Sequence, residues 1–116
     1  IMISHDLNLI RRYCDKVAVM YAGQIVESGG SNEVFSQPQH PYTQALLSVI
    51  PRLDQDRNVR LNEIPGYVPE HGRDTSHCLF QPRCSACRQE CGGSVKSSRR
   101  DGHFVRCSKA WEGCRA

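Results

Sequence analysis

The chain has 116 residues, of which 39% are hydrophobic and 23% charged, and its formal net charge is +3. This length allows one small domain, and the modest hydrophobic fraction argues against a single large core. No apolar run approaches the roughly 20 residues that cross a bilayer, so neither a membrane span nor a secretory signal is predicted. Because the chain starts inside an apolar, strand-like run, we expect it to be a piece of a longer protein.

Charge and cysteine are distributed unevenly along the chain. Residues 1–50 carry three basic and four acidic side chains, whereas residues 51–116 carry twelve basic and eight acidic ones. Six of the seven cysteines lie at or after Cys78. Since acidic residues are interleaved with the basic ones, no dense basic patch forms, and nucleic-acid binding is not indicated.

The first thirty residues predict a strand, a helix and a hairpin. Residues 1–3 are short, apolar and β-branched, as at the end of a buried strand. Asp6 is expected to cap a helix over residues 7–14, with Cys14 in its core face. Two β-rich runs, residues 16–21 and 24–28, flank a two-residue break that contains glycine, which predicts a β-hairpin.

Two more helices and an extended segment follow. Ser31 or Asn32 is expected to cap a short helix, and a second helix runs from His40 to residue 50, with Pro41 in its first turn. Residues 52–60 have the composition of a linker. Residues 61–69 are interrupted by proline and are predicted to be extended.

The cysteines of the tail are the clearest candidates for a functional site. Their spacing is C-x5-C-x2-C-x3-C from Cys78 to Cys91, followed by Cys107 and Cys114. An odd number of thiols without a secretion signal favours metal binding over disulfides, and a metal would replace the core that this segment lacks. One C-x2-C pair alone leaves zinc and an iron–sulfur cluster equally open, with free thiols as the third alternative.

Histidines and acidic residues are weaker candidates. His5 follows the first strand, where a ligand phosphate could meet it, although an ordinary loop histidine fits the same pattern. The chain has no G-x-x-x-x-G-K-[ST], G-x-S-x-G or H-E-x-x-H motif. Glu27 and Glu33 are expected at the surface. The remaining histidines, His40, His71, His77 and His103, are expected in solvated loops. For His77 and His103 a position beside the metal is the alternative.

Three motifs resemble one known family. The run I-M-I-S-H-D-L and the later M-Y-A-G-Q-I-V-E-S-G are similar to the end of an ABC-transporter nucleotide-binding domain. Q-H-P-Y-T-Q-A-L-L, from Gln39, resembles a mark of the ATP-binding subunits of dipeptide, oligopeptide and nickel importers. The segment I-P-G, the element C-L-F-Q-P-R-C from Cys78 and V-R-C at Cys107 resemble the C-terminal region of those subunits.

The resemblance implies specific site residues. His5 would be the switch histidine, which contacts the γ-phosphate of ATP and positions the attacking water in the parent protein. The dipeptide-importer type further implies a [4Fe–4S] cluster held by Cys78, Cys84, Cys91 and Cys107. Cys87, where the family commonly has alanine, is an alternative ligand, and zinc is the alternative metal.

We therefore expect an α/β fragment, the end of a P-loop ATPase domain, followed by a small irregular metal-bound tail. The divisions are residues 1–51 for the ATPase end, 52–77 for a linker and extended segment, and 78–116 for the cysteine-rich tail. Without the phosphate loop and magnesium carboxylate, the chain alone is expected not to hydrolyse ATP.

The resemblance also implies partners and a location. The parent would use ATP and Mg²⁺ and would work with a second ATP-binding subunit, membrane-spanning permease subunits and an external binding protein. It would be peripheral, on the cytoplasmic face of the bacterial inner membrane. The arginines around the cysteines suggest a rival hypothesis, a zinc-binding interaction or nucleic-acid module. This hypothesis does not explain His5 and the hairpin that follows it, or the helix that begins with His40-Pro41-Tyr42.

Overall fold

The computed structural model describes residues 1–50, 64, 66–68 and 76–111. These ranges form a small α/β structure with one four-stranded sheet, and no helix within them is long and apolar enough to cross a membrane. The helices are α1 (Leu7–Tyr13), α2 (Ser31–Ser36) and α3 (Pro41–Ser48), with 3-10 turns at Gln81–Arg83 and Gln89–Gly92. The strands are β1 (Lys16–Tyr21), β2 (Gln24–Gly30), β3 (Ser98–Arg100) and β4 (His103–Val105).

The beginning of the chain confirms one prediction and corrects two. Asp6 caps α1, because its carboxylate accepts hydrogen bonds from the backbone N–H groups of Asn8 and Leu9. Residues 1–3 form no strand and are exposed, since no described segment lies beside them to complete a ladder. Cys14 ends α1 as its C-cap and is half-buried, so it is not a helix core residue.

The predicted hairpin is confirmed. Strands β1 and β2 pair antiparallel from Lys16 opposite Gly30 to Tyr21 opposite Gln24. The two loop residues, Ala22 and Gly23, have φ angles of 49° and 82°. Positive φ at both positions gives the turn whose twist matches that of the flanking strands.

A β-bulge interrupts the hairpin at Val26. Val19 lies opposite Glu27 and Met20 opposite Ile25, so Val26 is the extra residue of β2. A bulge breaks the alternation of side chains between the two faces of a strand. As a result Val26 and Glu27 are consecutive and both buried. The prediction that Glu27 is a surface charge is therefore wrong, whereas Glu33 is exposed as expected.

The cysteine-rich tail is less irregular than expected, because it contributes half of the strands. The sheet order is β1-β2-β4-β3, with every neighbouring pair antiparallel. Glu27 pairs with Val105 and Ser28 with Phe104, and Arg106 donates a backbone hydrogen bond to the carbonyl of Val26. The tail thus continues the sheet of the hairpin.

The two later helices start differently. Helix α2 begins after Gly30 without a side-chain cap, and Ser31 is buried, so the predicted capping by Ser31 or Asn32 is wrong. Helix α3 has Pro41 in its first turn, as predicted, but it begins at Pro41, and His40 caps it by accepting a hydrogen bond from Tyr42 N–H. It ends at Ser48, two residues before the predicted end.

The small core lies between the hairpin and the tail. Its buried members come from both regions: Tyr21, Val26, Leu79 and Phe80. Tyr42 of α3 packs against them, with its ring centroid 4.7 Å from that of Tyr21 and 5.3 Å from that of Phe80. The predicted linker at residues 52–60 lies outside the described residues.

Candidate functional site

Tight turns position the cysteines of the tail. Cys78 accepts a backbone hydrogen bond from Gln81, Cys84 donates to Gln81, and Cys87 donates to Cys84. Cys91 donates to Arg88 in the next turn, and the Cys107 carbonyl closes a turn with Ala110. Chain reversals of three residues are compatible with proline and short polar side chains, and they require no large core.

These turns bring the thiols together around one cleft of about 370 Å³ of empty space, part of it open to solvent. The lining cysteines are Cys78, Cys84, Cys87, Cys91 and Cys107. The opposite wall consists mainly of His40 and Pro41 at the start of α3, together with Phe80 and Val95. Five thiols from separate turns therefore face one space.

Exposure separates one thiol of the cleft from the rest. Cys87 is exposed, and it donates a weak hydrogen bond to its neighbour, the carbonyl of Arg88. The other four cysteines of the cleft are half-buried. These four are the residues that the family resemblance implies as ligands. Cys114, the extra thiol near the end, lies outside the described residues.

Burial raises the pKa values of three of the half-buried thiols, Cys78, Cys84 and Cys107. Neighbouring cysteines raise them further, because one thiolate disfavours another nearby. These groups therefore stay protonated at neutral pH in the absence of a positive partner. A metal supplies such a partner, since it binds thiolates and displaces their protons.

Across the described ranges, no group of three or more His, Cys, Asp or Glu side chains is arranged to hold a metal ion. The thiols share a cleft without converging on one point. The predicted metal site, with either zinc or iron and sulfide, therefore stays a prediction.

A buried carboxylate behind the cleft escaped the sequence prediction. Glu27 is 0% exposed, and its oxygens accept hydrogen bonds from the backbone N–H groups of Gln39 (2.8 Å) and His40 (3.0 Å). His103 Nε2 lies 2.6 Å from the same carboxylate, as donor. Gly29 makes room for this contact, because a Cβ there would lie 3.3 Å from the Cα of His103.

Glu27 thus joins β2, the entry to α3 and strand β4 of the tail. The prediction of solvated histidines is wrong for two of them, since His40 is 1% and His103 6% exposed. His77 is half-buried, and His71 lies outside the described residues. The bulge at Val26 is the feature that a regular strand pattern could not reveal.

Arg83 of the C-x-F-x-x-R-C element has a definite structural role. Its guanidinium donates hydrogen bonds to the carbonyl of Ile64 and the hydroxyl of Tyr21. Gly66, with φ of 89°, passes over its side chain, and a Cβ at that glycine would lie 2.9 Å from Arg83 Cγ. The arginine therefore holds Ile64 and Gly66 beside Tyr21 of the hairpin.

His5 lies apart from these groups. It is exposed, between Ser4 and the capping residue Asp6, and it does not line the cysteine cleft. The structure places it directly before α1, as the sequence predicted. Its role toward a phosphate is not tested by this arrangement and stays a prediction.

Comparison with known proteins gives a consistent result. Residues 26–91 match the family described as "Oligopeptide/dipeptide transporter, C-terminal region". A peptide import ATP-binding protein of Brucella melitensis biotype 1 is 50% identical over 91 residues, which cover 78% of this chain and 27% of that protein. One of Brucella ovis is 39% identical over 109 residues, covering 92% of this chain and 34% of its own length. The chain thus spans about a third or less of these curated relatives.

Proposed function

This chain belongs to the family of oligopeptide/dipeptide transporter C-terminal regions, and we propose that it is part of an ATP-binding subunit that powers peptide import. The observation that carries the proposal is the match of residues 26–91, which joins most of strand β2, helix α3 and the turns from Cys78 to Cys91 in one family region. The relatives named for peptide import and ATP binding extend the similarity over most of the chain.

In this proposal His5 acts on ATP. It would contact the γ-phosphate and help to position the attacking water, while the parent protein supplies the phosphate loop and the Mg²⁺ site. Phosphoryl transfer is catalysed chiefly by such positioning and charge stabilisation. His5 is exposed and directly precedes the capped helix α1. Its side chain is therefore accessible to the nucleotide-binding part of the parent protein.

The parent would also require partners. Peptide import implies permease subunits in the membrane, a second ATP-binding subunit and an external binding protein, with this chain peripheral at the cytoplasmic face. The cargo within the peptide class is decided by those other subunits. No feature of the described residues favours nucleic acid as a partner.

The tail is proposed to hold a [4Fe–4S] cluster through Cys78, Cys84, Cys91 and Cys107. The donor set fits: four half-buried thiols surround one cleft, and thiolates are the ligands of such clusters. Exposure of Cys87 supports the choice of the other four. When bound, the group supplies cross-links between the turns of the tail.

Metal analysis tests this part of the proposal. The chain is purified anaerobically, and iron, acid-labile sulfide, zinc and visible absorption are measured. We expect a brown protein with about four iron and four sulfide per chain. A colourless protein with zinc would contradict the cluster and leave the transporter assignment of residues 26–91 intact.

Single substitutions test the ligand set. Cys78→Ser, Cys84→Ser, Cys91→Ser and Cys107→Ser are each expected to lose most of the iron, because serine is a poor ligand for this cluster. Cys87→Ser is the matched control and is expected to retain it. Loss of iron in Cys87→Ser, with retention in one of the other four, would overturn the assignment.

Transport tests the function of the parent. The same cysteine substitutions and His5→Ala are placed in the complete ATP-binding subunit, and ATP-dependent peptide uptake is measured. We expect His5→Ala to abolish most ATP hydrolysis. Normal hydrolysis in that variant would remove His5 from the proposed site, and uptake without peptide specificity would contradict the import assignment.

A further inference from the structure

The side chain of His40 contains a buried polar atom that the protein itself does not satisfy. The residue is 1% exposed, and its Nε2 has no hydrogen-bond partner within the described part of the chain. A buried donor left unpaired destabilises the folded state. Such an atom in a well-packed position indicates a group that binds there and accepts its hydrogen bond.

The other ring nitrogen decides which role Nε2 can take. Tyr42 N–H donates a 3.0 Å hydrogen bond to Nδ1, so Nδ1 must present its lone pair. Because Nδ1 accepts this hydrogen bond it has no proton, so the ring is in its neutral form with one N–H. The single ring proton therefore resides on Nε2. An imidazole in this tautomer is a donor at Nε2 and has no lone pair there to bind a metal.

The ring lies at the wall of the cysteine cleft. His40 lines this cleft together with the five thiols, and it also lines the adjoining small cavity with Cys78 and Phe80. Its ring centroid is 5.9 Å from that of Phe80. Gln81 and Ser108 contribute oxygen acceptors to the same cleft, but the five cysteine sulfurs are the most numerous side-chain acceptors in its lining.

The backbone around His40 is held rigidly. Its N–H donates to the buried carboxylate of Glu27, which the side chain of His103 and the backbone of Gln39 also contact. Pro41 follows directly and restricts the residue before it to extended conformations. The ring therefore approaches the cleft in one orientation.

We propose that His40 Nε2–H donates a hydrogen bond to a sulfur of the metal centre in the cysteine cleft and so sets its reduction potential. The acceptor is a cysteine thiolate or a bridging sulfide. This inference rests on the proposed cluster. Reduction adds negative charge to the centre, and a donor to sulfur stabilises the reduced form, which raises the potential. His40 is thus a positioning and tuning residue, not a ligand.

Two substitutions distinguish the role of Nδ1, which caps the helix, from that of Nε2, which donates a hydrogen bond. In His40→Asn the side-chain oxygen can still accept from Tyr42 N–H, as a normal helix cap, while the distal donor is lost. In His40→Gln the longer side chain places an amide N–H near the former Nε2, while the cap is weakened. Each variant therefore keeps one function of His40 and removes the other.

The test uses the full chain with its native metal, purified anaerobically. Iron and sulfide are counted first, the reduction potential is then measured, and the reduced centre is examined by pulsed EPR after exchange into D₂O. We expect a negative shift of the potential in His40→Asn and loss of an exchangeable proton coupling that the native protein shows. His40→Gln is expected to keep a potential close to that of the native protein.

The outcomes separate this inference from the proposed cluster. A native chain without iron and sulfide overturns the cluster, and with it the role of His40. An iron-loaded native chain whose potential and proton coupling are unchanged in His40→Asn overturns the role of His40 alone. A shift in His40→Gln without a shift in His40→Asn would assign the effect to the helix cap and would also overturn it. Loss of iron in His40→Asn alone would show ligation through Nε2, contrary to the proposal.

Discussion

The hairpin region (residues 16–48) and the cysteine tail (residues 76–111) are stabilised in different ways. The hairpin region has strands of six and seven residues, and its helix α3 starts at Pro41 with His40 as its cap. The tail has strands of three residues and short 3-10 turns. Segments this short are marginal alone, so the tail depends on docking against the hairpin region.

The two regions meet at a buried polar contact as well as at the core. Glu27 of the hairpin receives hydrogen bonds from His103 of the tail and from the backbone before α3. Such a contact fixes orientation more than it adds free energy, because desolvation of the carboxylate offsets much of the gain. The two regions therefore differ in how each is stabilised, while the shared sheet and core join them into one unit.

Metal removal should show the largest difference between the two regions. We expect an anaerobic chelator to raise amide exchange in residues 98–105 on the order of 100-fold, because metal binding is coupled to folding of the tail. Exchange in β1 and in residues 24–28 should change far less. Hydrogen exchange with mass spectrometry measures both. Equal increases in the two regions would show that the hairpin depends on the metal as much as the tail does.

Removal of the Glu27 carboxylate is the next largest effect. Glu27→Ala leaves three buried donors without an acceptor and should lower the free energy of unfolding by about 3–5 kcal/mol. Glu27→Gln keeps one acceptor oxygen and should cost less. Urea denaturation measures both, with Glu33→Gln on the exposed face of α2 as the control. A loss as small as that of the control would contradict the structural role of Glu27.

The pH dependence of stability tests the burial of His40. The unfolded side chain takes up a proton below its ordinary pKa of 6.5, but the folded one does so only near pH 4. Between these values the unfolded state binds more protons, so stability falls as the pH is lowered. The loss approaches about 3 kcal/mol at pH 4.

His40→Asn provides the comparison, because asparagine does not titrate and can still cap α3. The difference between the native and variant unfolding free energies, measured from pH 7 to pH 4, should contain this loss. Parallel pH profiles would show that His40 is not buried in the folded state.

The hairpin turn should give the smallest effect and leave the tail unchanged. Ala22 has a φ of 49°, which asparagine tolerates better than alanine, so Ala22→Asn should raise stability by about 0.5–1 kcal/mol. Gly23→Ala is the opposite case, because its φ of 82° disfavours any side chain although the space is open. Thermal unfolding gives both shifts. A change in iron content in either variant would contradict a purely local effect of the turn.

Local sequence predicted much of the first region. The Asp6 cap, the hairpin, the two-residue turn and Pro41 in the first turn of α3 all depend on neighbouring residues and were confirmed. The strand at residues 1–3 was wrong, because a strand requires a neighbour that local sequence does not supply. The cap of α2 was wrong, because Ser31 is buried instead of bonding the helix end.

The cysteines of the tail show both what local sequence predicts and what it does not. Their number and spacing indicate a common site, and five of them do line one cleft. The separation of exposed Cys87 from the half-buried four comes only from how the turns pack. Spacing along the chain does not specify which side of a turn faces the cleft.

The sequence by itself determined the family, the hairpin and the presence of a thiol-rich tail, because motifs and short-range patterns carry that information. Only the tertiary structure decided that Glu27, His40 and His103 are buried and that the tail continues the sheet of the hairpin. The physical reason is the bulge at Val26. One extra residue in β2 turns Glu27 inward, where donors from distant parts of the chain can reach its carboxylate.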